Sequence, residues 1–428
     1  MSLGIAPDLR NTVGTYTKLP PAIVLGEGSV TLAAVLRLLH AAGIEAYSAC
    51  LDRSFCSYSR WFRPLTNSWP GIKPATLADL LERVPFESAV LVPTSDAWLE
   101  AVAMLPEELR LRFPSSVPSF PKVESFTNKW CFAKLLRKVR VPHPQTYLLN
   151  SIEQMDSFPD AAFENTILKP LRSAQFSEVH GVKGFLVNSR SQALRAMEQS
   201  TFPILLQEFI PGPPTTGYFI EGLIDRQGRT SALFARRRLR MYPSHLGNST
   251  VAVSVPLREV SPALESLQQL LEATAYHGIF SAEFKRDERD GVFKLLEVNA
   301  RAWWYVEAPA HAGMNVCEMA YRDALGLQVD PVTSYASGDQ TGILPNDLRA
   351  WRHLRRLGGE SFWSWLFSWR DITSIPFHWD DPLPAIVFFW QELREFVTRK
   401  TRKPVYVPPL VPAHREGKSE ASAVLAKF

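Results

Sequence analysis

The stretch that most constrains the fold of this 428-residue chain is residues 280–301, FSAEFKRDERDGVFKLLEVNAR. Apolar and polar residues alternate in both halves, which is the pattern of strands with one buried face. The Asp290-Gly291 pair between the halves is typical of a tight turn. We therefore predict an antiparallel hairpin whose apolar face packs against another layer of the protein.

The length of the turn decides which side chains face each other across this hairpin. A two-residue turn would place Phe284 opposite Glu297, an apolar residue against a charged one. A three-residue loop, with Gly291 in the left-handed conformation, places Phe284 opposite Leu296 and makes one face uniformly apolar. Because register follows the hydrophobic pattern, we predict the three-residue loop.

The other face of the predicted hairpin then carries Glu283 opposite Glu297, with Asn299 and Arg301 further along the same strand. Two carboxylates that face each other repel unless a cation lies between them. Carboxylate and amide oxygens suit Mg²⁺ that is shared with substrate phosphates, and the planar Arg301 guanidinium can hold an anion. The alternative is an outer face of ordinary solvated charges.

Upstream, the sequence predicts alternating strands and helices. Residues 21–25, 44–47 and 87–93 are short apolar runs, and residues 30–39 have helical spacing. This alternation indicates a parallel sheet in a small α/β domain, in which ligands bind at the loops after the strands. Asp96 lies in such a loop and is a candidate cap for the next helix.

Four further segments precede the hairpin in a fixed order. They are Asn128-Lys129 at the start of a predicted helix, Lys169-Pro170 at the end of a predicted strand, the glycine loop Gly181-Val-Lys-Gly184, and Gln207-Glu208-Phe209-Ile210. With Glu283 and Glu297-Val-Asn299-Ala-Arg301, these segments resemble the ATP-grasp superfamily. The sequences of several segments are most similar to predicted carboxylate–amine ligases, a subgroup that includes D-aspartate-ligase-like enzymes.

The resemblance implies roles for these residues. Lys129, Lys169, Lys183 and Gly184 would contact ATP phosphates, and Lys169 would also lie near the adenine. The hinge Gln207, Glu208, Phe209 and Ile210 would read the adenine edge. Glu283, Glu297 and Asn299 would hold Mg²⁺. Arg301, with Arg238 and Arg240 on one face of the basic strand 236–240, would contact the γ-phosphate and an acyl phosphate; a basic surface strand is the alternative.

The resemblance also implies fold and reaction. The fold class is α/β and α+β, with a pre-ATP-grasp α/β domain (1–120), an ATP-grasp domain (121–330) and a Trp-rich C-terminal extension (331–428). ATP would phosphorylate a substrate carboxylate, and an amine would displace phosphate from the acyl phosphate. One departure is the segment 213–216, Pro-Pro-Thr-Thr, where the family often has acidic residues that bind ribose.

Composition excludes several other classes. A hydrophobic content of 46% with 21% charged residues is typical of a soluble globular protein, and no apolar run approaches the ~18 residues of a spanning helix. Four Cys without CxxC spacing and nine scattered His predict free thiols in a reducing cytoplasm and no His-based metal site. The start lacks a secretory signal, and the weak net charge of +4 predicts no nucleic-acid partner.

The excess of positive charge lies in the C-terminal part of the chain. Residues 351–428 contain 12 Lys and Arg against 8 Asp and Glu, and six of the twelve Trp. A helical stripe of Ile386, Phe389, Trp390, Leu393 and Val397 near basic residues suits either an interfacial helix or packing on the body. Peripheral membrane contact and a homodimer are therefore partner hypotheses beside small-molecule carboxylate and amine substrates.

Two other enzyme classes are rivals. Gly26-x-Gly28 follows a strand, but Thr31 occupies the third glycine position, so the dinucleotide-binding motif fails. A biotin-carboxylase-like enzyme would share the ATP residues, although the chain has no biotinyl Met-Lys-Met segment. A membrane- or partner-binding protein on an ATP-grasp scaffold is the non-enzymatic alternative.

Overall fold

The computed structural model describes residues 19–49, 54–65, 72–172, 183–198, 200–243, 246–356, 359 and 361–398. Residues 181 and 182 of the predicted glycine loop lie outside these ranges, as does the basic segment after residue 398. Among the described helices, none combines the length and apolar character needed to cross a membrane. Cys56, Cys131 and Cys317 are free thiols.

The first part of the chain forms the predicted small parallel sheet. Its strands β1 (Ala22–Leu25), β2 (Ala46–Ser48) and β3 (Val90–Pro93) lie in the order β2–β1–β3, and all neighbours are parallel. Helix α1 (Val30–Ala41) begins at Ser29, whose hydroxyl accepts a hydrogen bond from the Leu32 amide. The other helices of this part are α2 (Leu77–Arg83), α3 (Asp96–Ala103), α4 (Glu107–Arg112) and α5 (Phe120–Thr127).

The predicted cap of helix α3 is wrong by one residue. Ser95 is the N-cap and Asp96 is the first helical residue. The Asp96 carboxylate instead accepts a hydrogen bond from Arg301 Nε at 2.7 Å, a residue 205 positions later. Asp96 therefore forms a long-range ion pair and does not cap helix α3.

A four-stranded antiparallel sheet follows. Helix α6 (Lys129–Val139) begins at Asn128, whose side chain accepts from the amides of Trp130 and Cys131. The strands lie in the order β4–β7–β5–β6 and pack on helix α7 (Arg190–Met197) through a small apolar core. They are β4 (Thr146–Leu149), β5 (Thr166–Pro170), β6 (Phe185–Val187) and β7 (Ile204–Glu208).

The largest element is a seven-stranded sheet in the order β12–β11–β8–β9–β10–β13–β14. Its strands are β8 (Gly217–Ile224), β9 (Thr230–Tyr242), β10 (Asn248–Ser254), β11 (Gly278–Arg286), β12 (Phe293–Asn299), β13 (Gln340–Gly342) and β14 (Ile372–Ser374). Helix α8 (Ser261–Ala273) covers one face with Leu267 and Leu270, which share a core with Phe280. Helices α9 (Glu307–His311) and α10 (Val316–Ala324) connect the sheet to the first domain.

The hairpin β11–β12 has the predicted pairing at its functional end and a different one near its turn. Glu283 faces Glu297, and Gly291 has a positive φ of 76°. Phe284, however, faces Leu295 instead of Leu296, because a bulge follows the Glu283 pair. The connection is also longer than three residues, since the last ladder pair joins Arg286 and Phe293. The bulge buries Leu295 fully and leaves Leu296 half-buried.

The chain beyond residue 330 continues the same sheet. Strand β13 pairs antiparallel with β10, and β14 pairs parallel with β13. Helices α11 (Leu344–Arg355), α12 (Phe362–Ser368) and α13 (Leu383–Thr398) accompany these strands. The proposed boundaries at 120 and 330 remain predictions, but the sheet itself does not end at residue 330.

Buried Asp347 fixes the C-terminal segment to strands β9 and β10. Its Oδ1 accepts from Thr250 at 2.7 Å and pairs with Arg240 Nε at 3.1 Å. Its Oδ2 accepts from the indole nitrogens of Trp365 at 2.7 Å and Trp369 at 2.8 Å. Asp347 therefore links two of the tail tryptophans to the sheet.

Helix α13 packs on the first domain through a residue outside the predicted stripe. Phe388 is buried against Phe55, with ring centroids 4.8 Å apart. Ile386 and Trp390 of the stripe are 45% and 62% exposed. Packing therefore uses a neighbouring face of the helix and leaves these two stripe residues accessible.

Candidate functional site

The predicted ATP residues converge on one cleft between the four-stranded and seven-stranded sheets. The sheets meet there because the hinge after β7 leads directly into β8. The predicted residues that line the cleft are Lys129, Lys169, Lys183, Gln207, Glu208, Phe209, Ile210, Arg238, Glu283, Glu297 and Asn299. Residues from seven separate segments of the chain thus share one site.

The hairpin supplies the acidic wall of this cleft. Glu283 accepts a hydrogen bond from Arg238 Nη2 at 2.9 Å. Burial opposes the charge of Glu283, but Arg238 and Lys183 outweigh it, so its pKa is lowered and the carboxylate stays ionised. The carboxylate of Glu297 has no hydrogen-bond partner among the described residues and is exposed in the cleft. Its oxygens are available to a ligand.

The opposite wall is cationic. Lys169 Nζ donates to Gln207 Oε1 at 2.8 Å, and Gln207 Nε2 donates to Thr146 Oγ1 at 3.0 Å. This chain of bonds joins β5, β7 and β4 and fixes the ammonium at the mouth of the hinge. Burial and the neighbouring Lys129 lower the pKa of Lys169 to about 8, although Glu297 and Glu283 favour its charge.

Lys129 and Lys183 reach the cleft from two other segments. Burial lowers the pKa of Lys129 against the opposing effect of Glu297 and Asp96. Lys183 Nζ donates to Asn248 Oδ1 at 2.6 Å, which connects the predicted glycine loop to strand β10. Three lysines around one cleft favour a polyanionic ligand, because an anion relieves both their repulsion and their desolvation.

The hinge carboxylate Glu208 belongs to an ion network under the cleft. It pairs with Arg289, and its Oε1 lies 3.6 Å from Lys294 Nζ. Both cations also pair with buried Asp287, whose pKa they hold well below its usual range despite its desolvation. The hinge is therefore tied to the base of the hairpin that bears Glu283.

Three predicted residues do not line the cleft. Gly184 lies against the backbone of β5, where an added Cβ would come within 2.7 Å of the Leu168 carbonyl oxygen. Arg301 is bonded to Asp96 and to Asn299 Oδ1 at 3.1 Å, so it borders the acidic wall. Arg240 points to the C-terminal segment, where it contacts Asp347 and Ser368.

Three charged groups that lie in the cleft or beside it had no predicted role in the ATP site. Lys285 lines the cleft two residues after Glu283, so strand alternation was an available signal. Asp96 lines the cleft from the first domain through its pair with Arg301, which no local pattern shows. Glu288 is the third: a Cβ at Gly212 would lie 3.4 Å from its carboxylate, so an acid does adjoin the hinge's Pro-Gly.

The acidic wall fits a cation that shares its ligands with a phosphate. Among the described residues, no cluster of three or more His, Cys, Asp or Glu side chains could hold a metal alone. Glu283, Glu297 and Asn299 offer two carboxylates and one amide oxygen. Mg²⁺ keeps several waters and commonly binds through one or two carboxylates plus substrate phosphates, so the donor set fits Mg²⁺.

Comparison with known proteins gives one curated sequence relative and many structural ones. No family model matches the chain. D-aspartate ligase from Enterococcus faecium (strain Aus0004) is 22% identical over 225 residues, which are 50% of this chain and 53% of that enzyme. The chain therefore spans about half the length of the curated relative it matches.

Solved structures resemble a larger part of the chain. L-amino acid ligase from Bacillus licheniformis matches with a TM-score of 0.52 at 15% identity, over 74% of this chain and 79% of that one. N5-carboxyaminoimidazole ribonucleotide synthetase from Thermus thermophilus gives 0.56 at 15%, over 74% and 81%.

A third neighbour is the biotin carboxylase domain of 2-oxoglutarate carboxylase from Hydrogenobacter thermophilus, a dimer in complex with MgADP and bicarbonate. It gives a TM-score of 0.57 at 15% identity, over 76% of this chain and 74% of that one. These neighbours are ATP-grasp enzymes. This chain therefore has the ATP-grasp fold and is similar to the ATP-grasp carboxylate–amine ligases.

Proposed function

We propose that this protein is an ATP- and Mg²⁺-dependent ligase that joins a carboxylate to an amine through an acyl phosphate. One observation carries the proposal: Glu283, Glu297 and Asn299 face Lys129, Lys169 and Lys183 across a single cleft. An acidic wall for a cation opposite a cationic wall for phosphates is the arrangement that a nucleoside triphosphate requires. The similarity to D-aspartate ligase supports the ligase class.

The proposed reaction has two balanced steps. An oxygen of the substrate carboxylate attacks the γ-phosphorus, the bond from that phosphorus to the β–γ bridging oxygen breaks, and ADP leaves. The amine nitrogen then attacks the acyl carbon, the carbon–oxygen bond to phosphate breaks, and phosphate and one proton are released. Neither step needs a nucleophile from the protein.

The residues of this chain would act by position and charge. Arg238 lies beside Glu283 on the same face of the sheet and would screen the two anions that must approach each other. Lys169, held by Gln207, would place the phosphates next to the hinge. Mg²⁺ bound by the two glutamates and Asn299 would supply charge neutralisation at the phosphates.

The test is ADP release by the full chain with Mg²⁺, ATP and a panel of acids and amines. We expect release that requires both an acid and an amine, with equal amounts of ADP and phosphate. Addition of hydroxylamine in place of the amine should trap the acyl phosphate as a hydroxamate. Release that depends on bicarbonate instead of an acid would support carboxylation, and no release with any pair would contradict the ligase proposal.

We keep peripheral membrane contact as a separate proposal for helix α13, supported by the exposure of Ile386 and Trp390. Truncation near residue 334 would remove β13 and β14 from the sheet, so point variants are the better test. Ile386→Asp with Trp390→Asp should reduce sedimentation with anionic vesicles. Equal sedimentation would reject membrane contact. A homodimer and a cytoplasmic location stay predictions, the first open to light scattering.

A further inference from the structure

A second cavity, of about 350 Å³, lies on the seven-stranded sheet beyond the ATP cleft. Its floor is formed by Phe234, Arg236 and Ser254 of β9 and β10, and helix α9 with the turn after it covers it. The remaining wall comes from the C-terminal segment through Asp339, Thr341 and Thr373. The volume is at the small end of the range for ligand sites.

The floor of this cavity contains a fixed cation with an unused donor. Arg236 is 4% exposed, and its guanidinium lies 3.7 Å from the ring centroid of Phe219 and 4.5 Å from that of Tyr305. Its Nε and Nη2 donate to Glu221 Oε1, whereas Nη1 has no hydrogen-bond partner among the described residues. Oε2 of Glu221 in the same pair is also buried without a hydrogen-bond partner in the described part of the chain. Buried polar groups are normally satisfied, so the unpartnered Nη1 beside this cavity favours a ligand that carries an acceptor.

The rim of the cavity is acidic and polar, whereas the floor carries the Arg236 cation. Asp339 is exposed and carries a carboxylate, while Thr341 and Thr373 face each other across β13 and β14 and carry hydroxyls. A ligand that fits both ends has an anionic group for Arg236 and an ammonium or hydroxyl group for the rim. Phe234, Ala308, Ala312 and the imidazole of His311 line the small space between the two ends.

The position of Arg236 relates this cavity to the ATP cleft. Arg236 and Arg238 are two residues apart on one strand, so they share a face at a separation of roughly 7 Å. Arg238 lines the cleft and Arg236 lines the cavity. An anion on Arg236 therefore lies next to the place where Arg238 would meet a γ-phosphate.

We propose that this cavity is the subsite of the carboxylate substrate, and that the C-terminal segment determines which acid binds there. The proposal rests on the proposed ligase function. The substrate would be a small acid whose carboxylate contacts Arg236 and whose far end bears an ammonium or hydroxyl group within reach of Asp339 and Thr341.

Binding is measured with the full chain by calorimetry, with the common L- and D-amino acids and hydroxy acids as probes and with ADP and Mg²⁺ present. We expect at least one acid to bind, and Asp339→Asn and Thr341→Val to weaken it at least fivefold while ADP affinity changes less than twofold. Thr333→Val, at an exposed threonine of the same segment outside the cavity, is the matched control. These variants leave the buried Arg236–Glu221 pair untouched.

Three outcomes would overturn the proposal: no acid binds at millimolar concentration, the rim variants bind like Thr333→Val, or simple amines bind there and acids do not. The ligase function fails separately. A chain that binds an acid in this cavity but releases no ADP from ATP with any amine would contradict the ligase proposal and leave the cavity as an acid-binding site only.

Discussion

The two edges of the seven-stranded sheet contribute to the site in different ways. At one edge, the hairpin β11–β12 presents Glu283 and Glu297 from residues that are close in sequence. At the other edge, β13 and β14 reach the sheet through an antiparallel and then a parallel pairing. The acidic wall of the cleft therefore comes from one local hairpin, whereas the neighbouring cavity depends on long-range packing.

The largest effect is expected at the hairpin edge of the sheet, on the rate of ADP release. Glu297→Gln keeps the shape of the side chain but removes a charge from the proposed Mg²⁺ site. We expect ADP release to fall by about 10²–10³-fold, because stabilisation of phosphate charge is lost. Turnover against Mg²⁺ concentration is the measurement.

Glu265→Gln, at an exposed position of helix α8, is its matched control and should retain normal turnover. A Glu297→Gln variant that matched this control at every Mg²⁺ concentration would remove the metal assignment.

The next largest effect is expected at the C-terminal edge of the sheet, on the free energy of unfolding. In Asp347→Asn, the new NH₂ group must replace one oxygen, either the one that pairs with Arg240 or the one that accepts from two indole nitrogens. Either orientation leaves donors facing donors in a buried site, so we expect a loss of about 3 kcal/mol in the free energy of unfolding. Urea denaturation measures it.

The exposed Asp371→Asn in the same segment should be within about 0.5 kcal/mol of the unmodified protein. Equal stability of the two variants would show that Asp347 does not hold the C-terminal segment on the sheet.

A smaller effect is expected between the edges, at strand β9. Arg238 donates to both Ser249 and Glu283 from different nitrogens of its planar fork, which one lysine ammonium cannot reproduce. Arg238→Lys should lower turnover roughly 10- to 100-fold, since a charged hydrogen bond is lost. Arg237→Lys, on the opposite face of the same strand, is the control; similar turnover in both variants would argue against a role for Arg238.

The smallest expected effect is the pH dependence of ATP binding through Lys169. Lys169 has a pKa of about 8, lowered from 10.5, so in the free protein it loses its charge as pH rises through 8. Bound phosphate would favour the charged form. ATP affinity should therefore be constant below pH 7 and fall by at most about tenfold per pH unit above 8.

Because arginine stays charged throughout this range, Lys169→Arg should flatten the ATP-binding profile. An unchanged slope in that variant would assign the titration to another group, with Lys285, whose pKa is also about 8, as the next to examine.

Most of the cleft could be predicted from the sequence in two ways. The alternation in 280–301 predicted the Glu283–Glu297 pairing, and the resemblance to the ATP-grasp superfamily supplied the lysines and the hinge. The pairing next to the turn was predicted wrongly. A bulge at Leu296 shifts the register by one residue and so buries Leu295. The bulge is set by packing against the layer below the strand, which the alternation alone does not specify.

The sequence by itself determined the parallel α/β start and the Glu283–Glu297 face of the hairpin, since both depend on side-chain periodicity within one segment. The resemblance to the ATP-grasp superfamily supplied the lysines and the hinge. Only the tertiary structure decided that Asp96 pairs with Arg301, that Arg240 pairs with Asp347, and that the Trp-rich segment completes the sheet. Those contacts join residues that are far apart in the chain. Their stabilisation comes from hydrogen bonds and from burial shared between distant segments, both of which exist only once the chain has folded.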